Sequence, residues 1–153
     1  MVGLLFWAAS KHGSKVEGIR QLPEIRALTI YGDSFDVSEF LDSSKRTALM
    51  FFHPECEYCQ IELGGIMEHW QECRNVQWLF LTLAPEDEAQ AFLQIFPLDS
   101  IPYAYVLREN WPDTYRLYQV KGPPALFIYD ENGKLIKHHM GATSIKTIVK
   151  ELK

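Results

Sequence analysis

The sequence from residue 51 to residue 62 reads FFHPECEYCQIE, with two cysteines three residues apart directly after an apolar run. The apolar run predicts the end of a strand, and the residues after it predict a helix. Cys56 would then lie at the helix N-terminus, where unpaired backbone N–H groups and the helix dipole favour a thiolate. Cys56 and Cys59 would face each other across one turn, so they can close a disulfide. This stretch predicts thiol–disulfide exchange.

Length and composition are those of one globular domain. The chain has 153 residues, 47% of them hydrophobic, and a formal net charge of −5. A chain of that size can bury a hydrophobic core without needing disulfide bonds for stability. The acidic balance and the lack of a Lys/Arg cluster argue against a nucleic-acid partner. Three cysteines are too few for a disulfide framework, so we expect one pair and a leftover Cys73, buried in the core.

The first 25 residues are expected to form a tail, followed by a domain over residues 26–153. Residues 2–9 are apolar, but eight residues are too few to span a bilayer, which takes about 20. We interpret this run either as the remnant of a signal anchor, followed by a polar linker, or as a short element packed on the domain. Under the first interpretation the N-terminus would be a membrane anchor.

Short apolar runs bounded by turn residues predict the strands. The first two runs form an N-terminal β-hairpin, and the last two flank the Asn132-Gly133 turn of a second hairpin. Uninterrupted apolar runs between them are typical of strands covered on both faces. Because strands alternate with helices ahead of the last hairpin, the pattern indicates an α/β fold. The runs are 27–30, 35–41, 47–52, 76–83, 103–106, 125–129 and 134–138.

Helical patterns lie between and after these strands. The helix after the cysteines is expected to bury an apolar stripe and to bend or loosen at Gly64-Gly65. A second helix should start at Pro85, with acids in its first turn, and end near Phe96. A helical turn or two is expected over 111–117, and a last helix over 143–152. The stripe of the first helix comprises Ile61, Ile66, Met67, Trp70 and Cys73.

Three local features occur together in this order. Glu62 follows three residues after the dithiol of residues 56–59, Pro123-Pro124 precedes an apolar run, and Gly133 and Gly141 flank the last strand. With these spacings the chain resembles the thioredoxin superfamily, and within it the extracytoplasmic TlpA/ResA-like thiol-disulfide oxidoreductases. The resemblance covers about Ala27 to Leu152. It implies a thioredoxin-like fold, in which helices flank a central mixed β-sheet, here with an N-terminal β-hairpin.

The resemblance also implies roles for residues of the site. Cys56 is the expected nucleophile and Cys59 the resolving thiol, and Glu62 would take the proton of Cys59. The alternative for Glu62 is a solvated glutamate on the helix face. Pro124 is the candidate cis-proline beside the dithiol, against the alternative of an ordinary turn proline.

Substrate would bind around this proline, on a surface that also includes Pro123, His53 and Tyr58. Because Pro123 has no N–H, one hydrogen bond that the family makes to a bound peptide should be missing. His53 is a candidate for favouring the thiolate of Cys56. No cofactor and no metal are expected.

Departures from the family pattern bear on the redox role. Glu55 stands where the family commonly has Trp, Tyr58 where Pro is frequent, and Met50 where thioredoxin has a buried Asp. The last departure argues against a cytosolic housekeeping role. Glu55, Glu57 and Glu62 disfavour a Cys56 thiolate by like-charge repulsion, so we expect a reductant, with a potential nearer to the roughly −270 mV of thioredoxin than to the roughly −120 mV of a strong oxidant.

The expected partners are protein disulfide or dithiol substrates and a membrane or envelope electron donor. The resemblance and the apolar N-terminus favour a bacterial cell envelope location, periplasmic or anchored facing the periplasm, with the cytoplasm left open.

Three other interpretations compete with a thiol–disulfide oxidoreductase. A zinc site of Cys56, Cys59, His69 and Cys73 is disfavoured because the last two would lie too far along one helix. A peroxiredoxin is disfavoured because His53 replaces the threonine that such enzymes place before the reactive cysteine. A thioredoxin-like binding or redox-sensing module without catalytic activity is the remaining alternative.

Overall fold

A computed structural model of the protein describes residues 18–153, and one sheet of seven strands organises these residues. The strands are β1 (Arg26–Thr29), β2 (Ser34–Asp36), β3 (Arg46–Phe51), β4 (Val76–Thr82), β5 (Ala104–Arg108), β6 (Ala125–Tyr129) and β7 (Leu135–Met140). The helices are α1 (Glu57–His69), α2 (Glu86–Ile95), α3 (Asp113–Leu117) and α4 (Ile145–Leu152). Short 3-10 turns lie at Val37–Glu39, Trp70–Cys73 and Leu98–Ser100.

The sheet is mixed, with the strand order β2-β1-β5-β4-β3-β6-β7. Strands β3, β4 and β5 are parallel, and the two hairpins β1–β2 and β6–β7 are antiparallel. This architecture confirms the predicted α/β fold with helices around a central sheet and an N-terminal hairpin. Because β3 lies inside the sheet, its carboxyl end holds the residues that follow it near the middle of the molecule.

Alternate side chains of the central strands point to two separate cores, as the pleat of a strand requires. On one face Met50 and Leu126 pack beneath α1, α2 and α4. On the other face Phe51 packs edge-on against both Phe127 and Tyr115 of α3. Burial of each large apolar side chain contributes about 1.5–3 kcal/mol relative to exposure. The two cores fix the frame on which the cysteine turn is built.

Two details of the predicted elements are wrong. The second strand was expected over 35–41, but β2 ends at Asp36, whose carboxylate accepts the Ser38 N–H at 3.0 Å and starts a 3-10 turn. In α1, Ile61 is 72% exposed, whereas Glu62 is 3% exposed. The helix buries Cys59, Glu62, Leu63 and Ile66, so its inner face is rotated from the predicted stripe.

Helix α1 runs from Glu57 to His69 without interruption at its two glycines. Gly65 lies against the start of α4, where an added Cβ would be 3.0 Å from Cβ of Ile145. The glycine thus lets the two helices approach closely.

The chain ahead of β1 packs onto the sheet. Leu22 N–H donates to the Gly133 carbonyl at 2.7 Å, and Ile25 is 2% exposed. The proposed anchor at residues 2–9 lies outside the described residues, and the boundary at residue 26 stays a prediction. Within residues 18–153, no helix has the length and apolar character needed to cross a membrane.

Candidate active site

The two cysteines lie at the point where β3 gives way to α1. Phe52 N–H still donates to the Leu81 carbonyl of β4, and the Cys56 N–H then closes a turn onto the His53 carbonyl at 3.1 Å. Cys56 is the N-cap of α1, and its Sγ accepts the Cys59 N–H at 3.2 Å. An N-cap acceptor satisfies one of the free N–H groups of a helix terminus. The capping contact points the sulfur at the positive end of the helix.

The two thiols have different environments. Cys56 is partly exposed, whereas Cys59 is 0% exposed, and both are free thiols. Burial is the main cause that raises the pKa of Cys59 above its ordinary value, and the neighbouring Cys56 and Glu62 raise it further. Cys56 therefore reaches solvent, whereas burial keeps Cys59 a protonated thiol.

Pro123 and Pro124 lie opposite the dithiol. The Pro123–Pro124 peptide bond is cis, the geometry expected from the sequence. The Cys56 thiol donates to the Pro123 carbonyl over 3.6 Å, and the Pro124 carbonyl accepts the Gly141 N–H at 2.9 Å. The Pro123 carbonyl therefore lies beside the Cys56 sulfur.

Glu62 is enclosed behind the dithiol. Its Oε2 accepts the Thr143 N–H at 3.1 Å, while its Oε1 is buried and has no hydrogen-bond partner among residues 18–153. Burial raises the pKa of Glu62 to about 7, against the opposing effects of the Thr143 N–H and of His139. This carboxyl group can therefore hold or release a proton near neutral pH. The alternative of a solvated surface glutamate is wrong for this position.

The other two predicted substrate-binding residues, His53 and Tyr58, differ in their contacts and exposure. His53 Nδ1 accepts the Glu55 N–H at 3.1 Å, so this ring nitrogen stabilises the turn before Cys56. Tyr58 is 67% exposed on the first turn of α1. The structure brings Cys56, Cys59, Glu62 and the two prolines together, and leaves Tyr58 on the surface beside them.

Cys73 lies apart from this group. It is 5% exposed in the 3-10 turn after α1, where it belongs to the helix-side core. Within the described part of the chain, no three His, Cys, Asp or Glu side chains come together as metal ligands.

A family model for the thioredoxin-like domain matches residues 36–153. The chain belongs to the thioredoxin-like domain family. The match includes every predicted site residue, from His53 to Pro124, and also the loop after β7 that contacts Glu62.

Solved structures of this thioredoxin-like fold include several thiol-disulfide oxidoreductases. A secreted Mycobacterium tuberculosis disulfide oxidoreductase homologous to E. coli DsbE superposes with a TM-score of 0.71 at 20% identity, covering 84% of this chain and 94% of that chain. The exposed lipoprotein thioredoxin of Streptococcus pneumoniae gives 0.64 at 22% identity, covering 84% and 97%. StoA of Bacillus subtilis gives 0.64 at 15% identity, covering 84% and 96%. At these identities the likeness shows the fold. A comparison with curated protein sequences found no match.

Three residues around the thioredoxin-like site were not found by sequence reasoning. Tyr115 of α3 donates its hydroxyl to the carbonyls of Phe52 and Leu81, at 3.1 and 3.0 Å, and thereby supports the base of the cysteine turn. Thr143 and His139 act on Glu62. No local motif marks these residues, because only the folded chain brings them to the dithiol.

Proposed function

We propose that the protein is a thiol-disulfide oxidoreductase that reduces protein disulfides through Cys56 and Cys59. One observation carries the proposal: a partly exposed sulfur caps α1 beside the Pro123 carbonyl, with a second thiol buried directly behind it. This arrangement fits a nucleophile and a resolving group, and a structural dithiol has no need of the asymmetry.

The first step is attack by the Cys56 thiolate on one sulfur of a substrate disulfide. A bond forms between Cys56 Sγ and that sulfur, and the other substrate sulfur leaves as a thiolate and takes a proton from solvent. In the second step Cys59 attacks Cys56 Sγ, which closes the Cys56–Cys59 disulfide and releases the substrate sulfur. Two electrons pass from the dithiol to the substrate.

The second step requires a base, because Cys59 must lose its proton inside the protein. Burial keeps Cys59 protonated, and Glu62 is the titratable group that acts on it from the next turn of α1. With a pKa of about 7, Glu62 can accept this proton at neutral pH. When the disulfide is reduced again, the same carboxyl group can return the proton to Cys59.

Substrate would lie across the surface between the first turn of α1 and the proline loop. The Pro123 carbonyl offers an acceptor beside Cys56, and Pro123 supplies no N–H, so the backbone contact is one-sided. Tyr58 provides an exposed aromatic contact, with the turn of His53 and the buried Pro124 holding the two sides in place. We assign these four residues to substrate binding.

We further propose that the substrates are exported proteins and that the enzyme works in a bacterial cell envelope. The relatives in fold support this, since one is described as secreted and another as an exposed lipoprotein. An electron donor of the membrane or envelope would then recharge the dithiol. Under this proposal residues 2–9 are the remnant of an anchor that precedes the domain of residues 26–153.

Trapping of the mixed disulfide tests the mechanism. Cys59→Ser should accumulate a covalent adduct with a disulfide-bonded substrate such as insulin, Cys56→Ser should form none, and Cys73→Ala should behave as wild type. The adducts are read by non-reducing electrophoresis and mass spectrometry. Adduct formation by Cys56→Ser, or none by Cys59→Ser, would refute the assigned roles.

The reduction potential tests the direction of electron flow. It is measured by thiol alkylation in glutathione and dithiothreitol buffers, with Cys73→Ala removing the third thiol. A reversible two-electron couple well below the glutathione range is expected for a reductase. A high potential would indicate a disulfide donor, and the absence of a reversible couple would favour a binding or sensing module.

A further inference from the structure

Tyr115 of α3 is a buried residue whose side chain lies against the start of the cysteine turn, the segment from Phe52 to Cys56. The residue is 7% exposed, and its ring packs edge-on against Phe51 with the ring centroids 4.7 Å apart. Its hydroxyl oxygen is 3.1 Å from the carbonyl oxygen of Phe52 and 3.0 Å from that of Leu81. The phenol therefore joins the end of β3 to β4 at the point where the chain leaves the sheet.

The cysteine turn begins at the carbonyl group that Tyr115 contacts. Phe52 N–H still donates to the Leu81 carbonyl of β4 at 3.0 Å, whereas the carbonyl of the next residue, His53, accepts the Cys56 N–H at 3.1 Å. The hydroxyl contact is thus one residue away from the turn that ends at Cys56. A shift of the Phe52 carbonyl would move this turn, and with it the sulfur that caps α1.

The backbone of Tyr115 contacts the segment that leads to the two prolines. Its carbonyl accepts the Val120 N–H at 2.9 Å. Three residues after Val120 lies Pro123, whose carbonyl oxygen is 3.6 Å from Cys56 Sγ. Tyr115 therefore bonds both segments that meet at Cys56, the cysteine turn through its hydroxyl and the proline segment through its carbonyl.

Helix α3 is itself fixed at its N-terminus by Glu109. This residue is 6% exposed, and its carboxylate accepts the hydroxyl of Thr114 and also the Thr114 N–H, at 3.2 Å from Oε1. Such contacts satisfy N–H groups that a helix start leaves free. Tyr115 follows Thr114 directly, so its hydroxyl projects from a helix that is held in place.

We infer that the hydroxyl of Tyr115 positions Cys56 for disulfide exchange, by holding the cysteine turn in the place where Cys59 can attack the Cys56 sulfur. The use of this attack to reduce proteins rests on the proposed function. The hydroxyl acts through the Phe52 carbonyl, so Tyr115 is a positioning residue. An intramolecular attack is fast only when the reacting atoms are held close and aligned, and a small displacement slows it.

The test measures this attack directly, in proteins that all carry Cys73→Ala. Excess dithionitrobenzoate converts Cys56 into a mixed disulfide with thionitrobenzoate. The Cys59 thiolate then attacks Cys56 Sγ, so the Cys56–Cys59 bond forms, the bond to the reagent breaks, and a coloured thionitrobenzoate anion leaves. Stopped-flow absorbance gives the rate of this closure as the phase that does not depend on reagent concentration.

Tyr115→Phe removes the hydroxyl, keeps the ring in the core and should slow closure ~3–10-fold, the range expected when one hydrogen bond is lost from the reacting geometry. Tyr118→Phe is the matched control. Tyr118 is 2% exposed, packs on the same Phe51 ring at 5.2 Å, and bonds its hydroxyl to that of Tyr129 at 2.7 Å. Its loss should change the closure rate by less than about twofold.

Closure in Tyr115→Phe as fast as in wild type would overturn the inference. Equal slowing in Tyr118→Phe would overturn it as well, because the effect would then follow from a weakened core. Urea unfolding of both variants shows whether they lose comparable stability, so a difference in closure rate at equal stability supports positioning.

Insulin reduction by the same proteins separates this inference from the proposed function. If closure slows in Tyr115→Phe alone while wild type fails to reduce insulin, the positioning role stands and the proposed function fails. If wild type reduces insulin while closure is the same in all three proteins, the proposed function stands and the positioning role fails.

Discussion

Replacement of Glu62 by glutamine should stabilise the protein in a pH-dependent way. Burial raises the pKa of Glu62 from an ordinary value of 4.5 to about 7 in the folded chain. Between these values the folded state binds more protons than the unfolded state, so stability falls as pH rises from about 4.5 to about 7. At about 1.4 kcal/mol per pH unit, the ionised buried carboxylate costs the folded state ~3 kcal/mol above pH 7.

Glutamine occupies nearly the same volume and does not ionise. Its amide oxygen can accept the Thr143 N–H that Glu62 Oε2 accepts, and its NH2 group replaces Oε1, which has no hydrogen-bond partner among residues 18–153. Glu62→Gln should therefore match wild type near pH 4 and exceed its free energy of unfolding by ~3 kcal/mol at pH 8.

The assay is urea unfolding from pH 4 to pH 8, with a reductant that keeps the thiols free, followed by circular dichroism. Glu68→Gln is the matched control, since Glu68 is exposed on the same helix, and its difference from wild type should stay within about 0.5 kcal/mol. A difference between Glu62→Gln and wild type that does not grow with pH would refute the buried, neutral-pH titration of Glu62. Equal growth for Glu68→Gln would refute it as well.

Two further outcomes are expected. Gly65→Ala should lower the free energy of unfolding by ~1–2 kcal/mol, because the new methyl group meets Cβ of Ile145 at 3.0 Å and that atom cannot rotate away from its helix. At Gly64 the nearest atom to a new methyl group would be 4.0 Å away, so Gly64→Ala should raise the free energy of unfolding by ~0.5–1 kcal/mol in the same denaturant assay. Equal changes in stability for the two variants would contradict the close packing at Gly65. In the native reduced protein, iodoacetamide should modify Cys56 well before the two buried cysteines, whose pKa values are raised by burial, as read by mass spectrometry of timed samples. Simultaneous modification of all three would contradict the assigned environments.

The turn that contains Cys56 and Cys59 could be predicted from local sequence. An uninterrupted apolar run predicts a buried strand whatever its partners are, and a following amphipathic segment predicts a helix, so Cys56 had to lie at their junction. The alternation of strands and helices between two hairpins similarly indicated the mixed sheet. Strand length was less predictable at β2, where the carboxylate of Asp36 starts a turn inside the predicted segment of residues 35–41.

The burial of Glu62 could not be predicted from local sequence. Helical periodicity and its charge placed it on the surface, and the family resemblance placed it beside the dithiol. The structure buries it because α1 turns Cys59, Glu62 and Ile66 inward, and because the loop after β7 supplies the Thr143 N–H. A carboxyl group is tolerated there since one oxygen is hydrogen-bonded and its raised pKa allows it to be neutral.

The sequence alone determined the elements, their order and the position of the dithiol at a helix N-terminus, because these follow from contacts between residues a few positions apart. Tertiary structure decided that the Pro123 carbonyl lies beside Cys56 and that the Thr143 N–H reaches Glu62. Those relations join residues as many as 81 positions apart, as in the Thr143–Glu62 hydrogen bond. Only packing of β7 and α4 against α1 brings them together, and burial then changes the proton affinities on which the proposed chemistry depends.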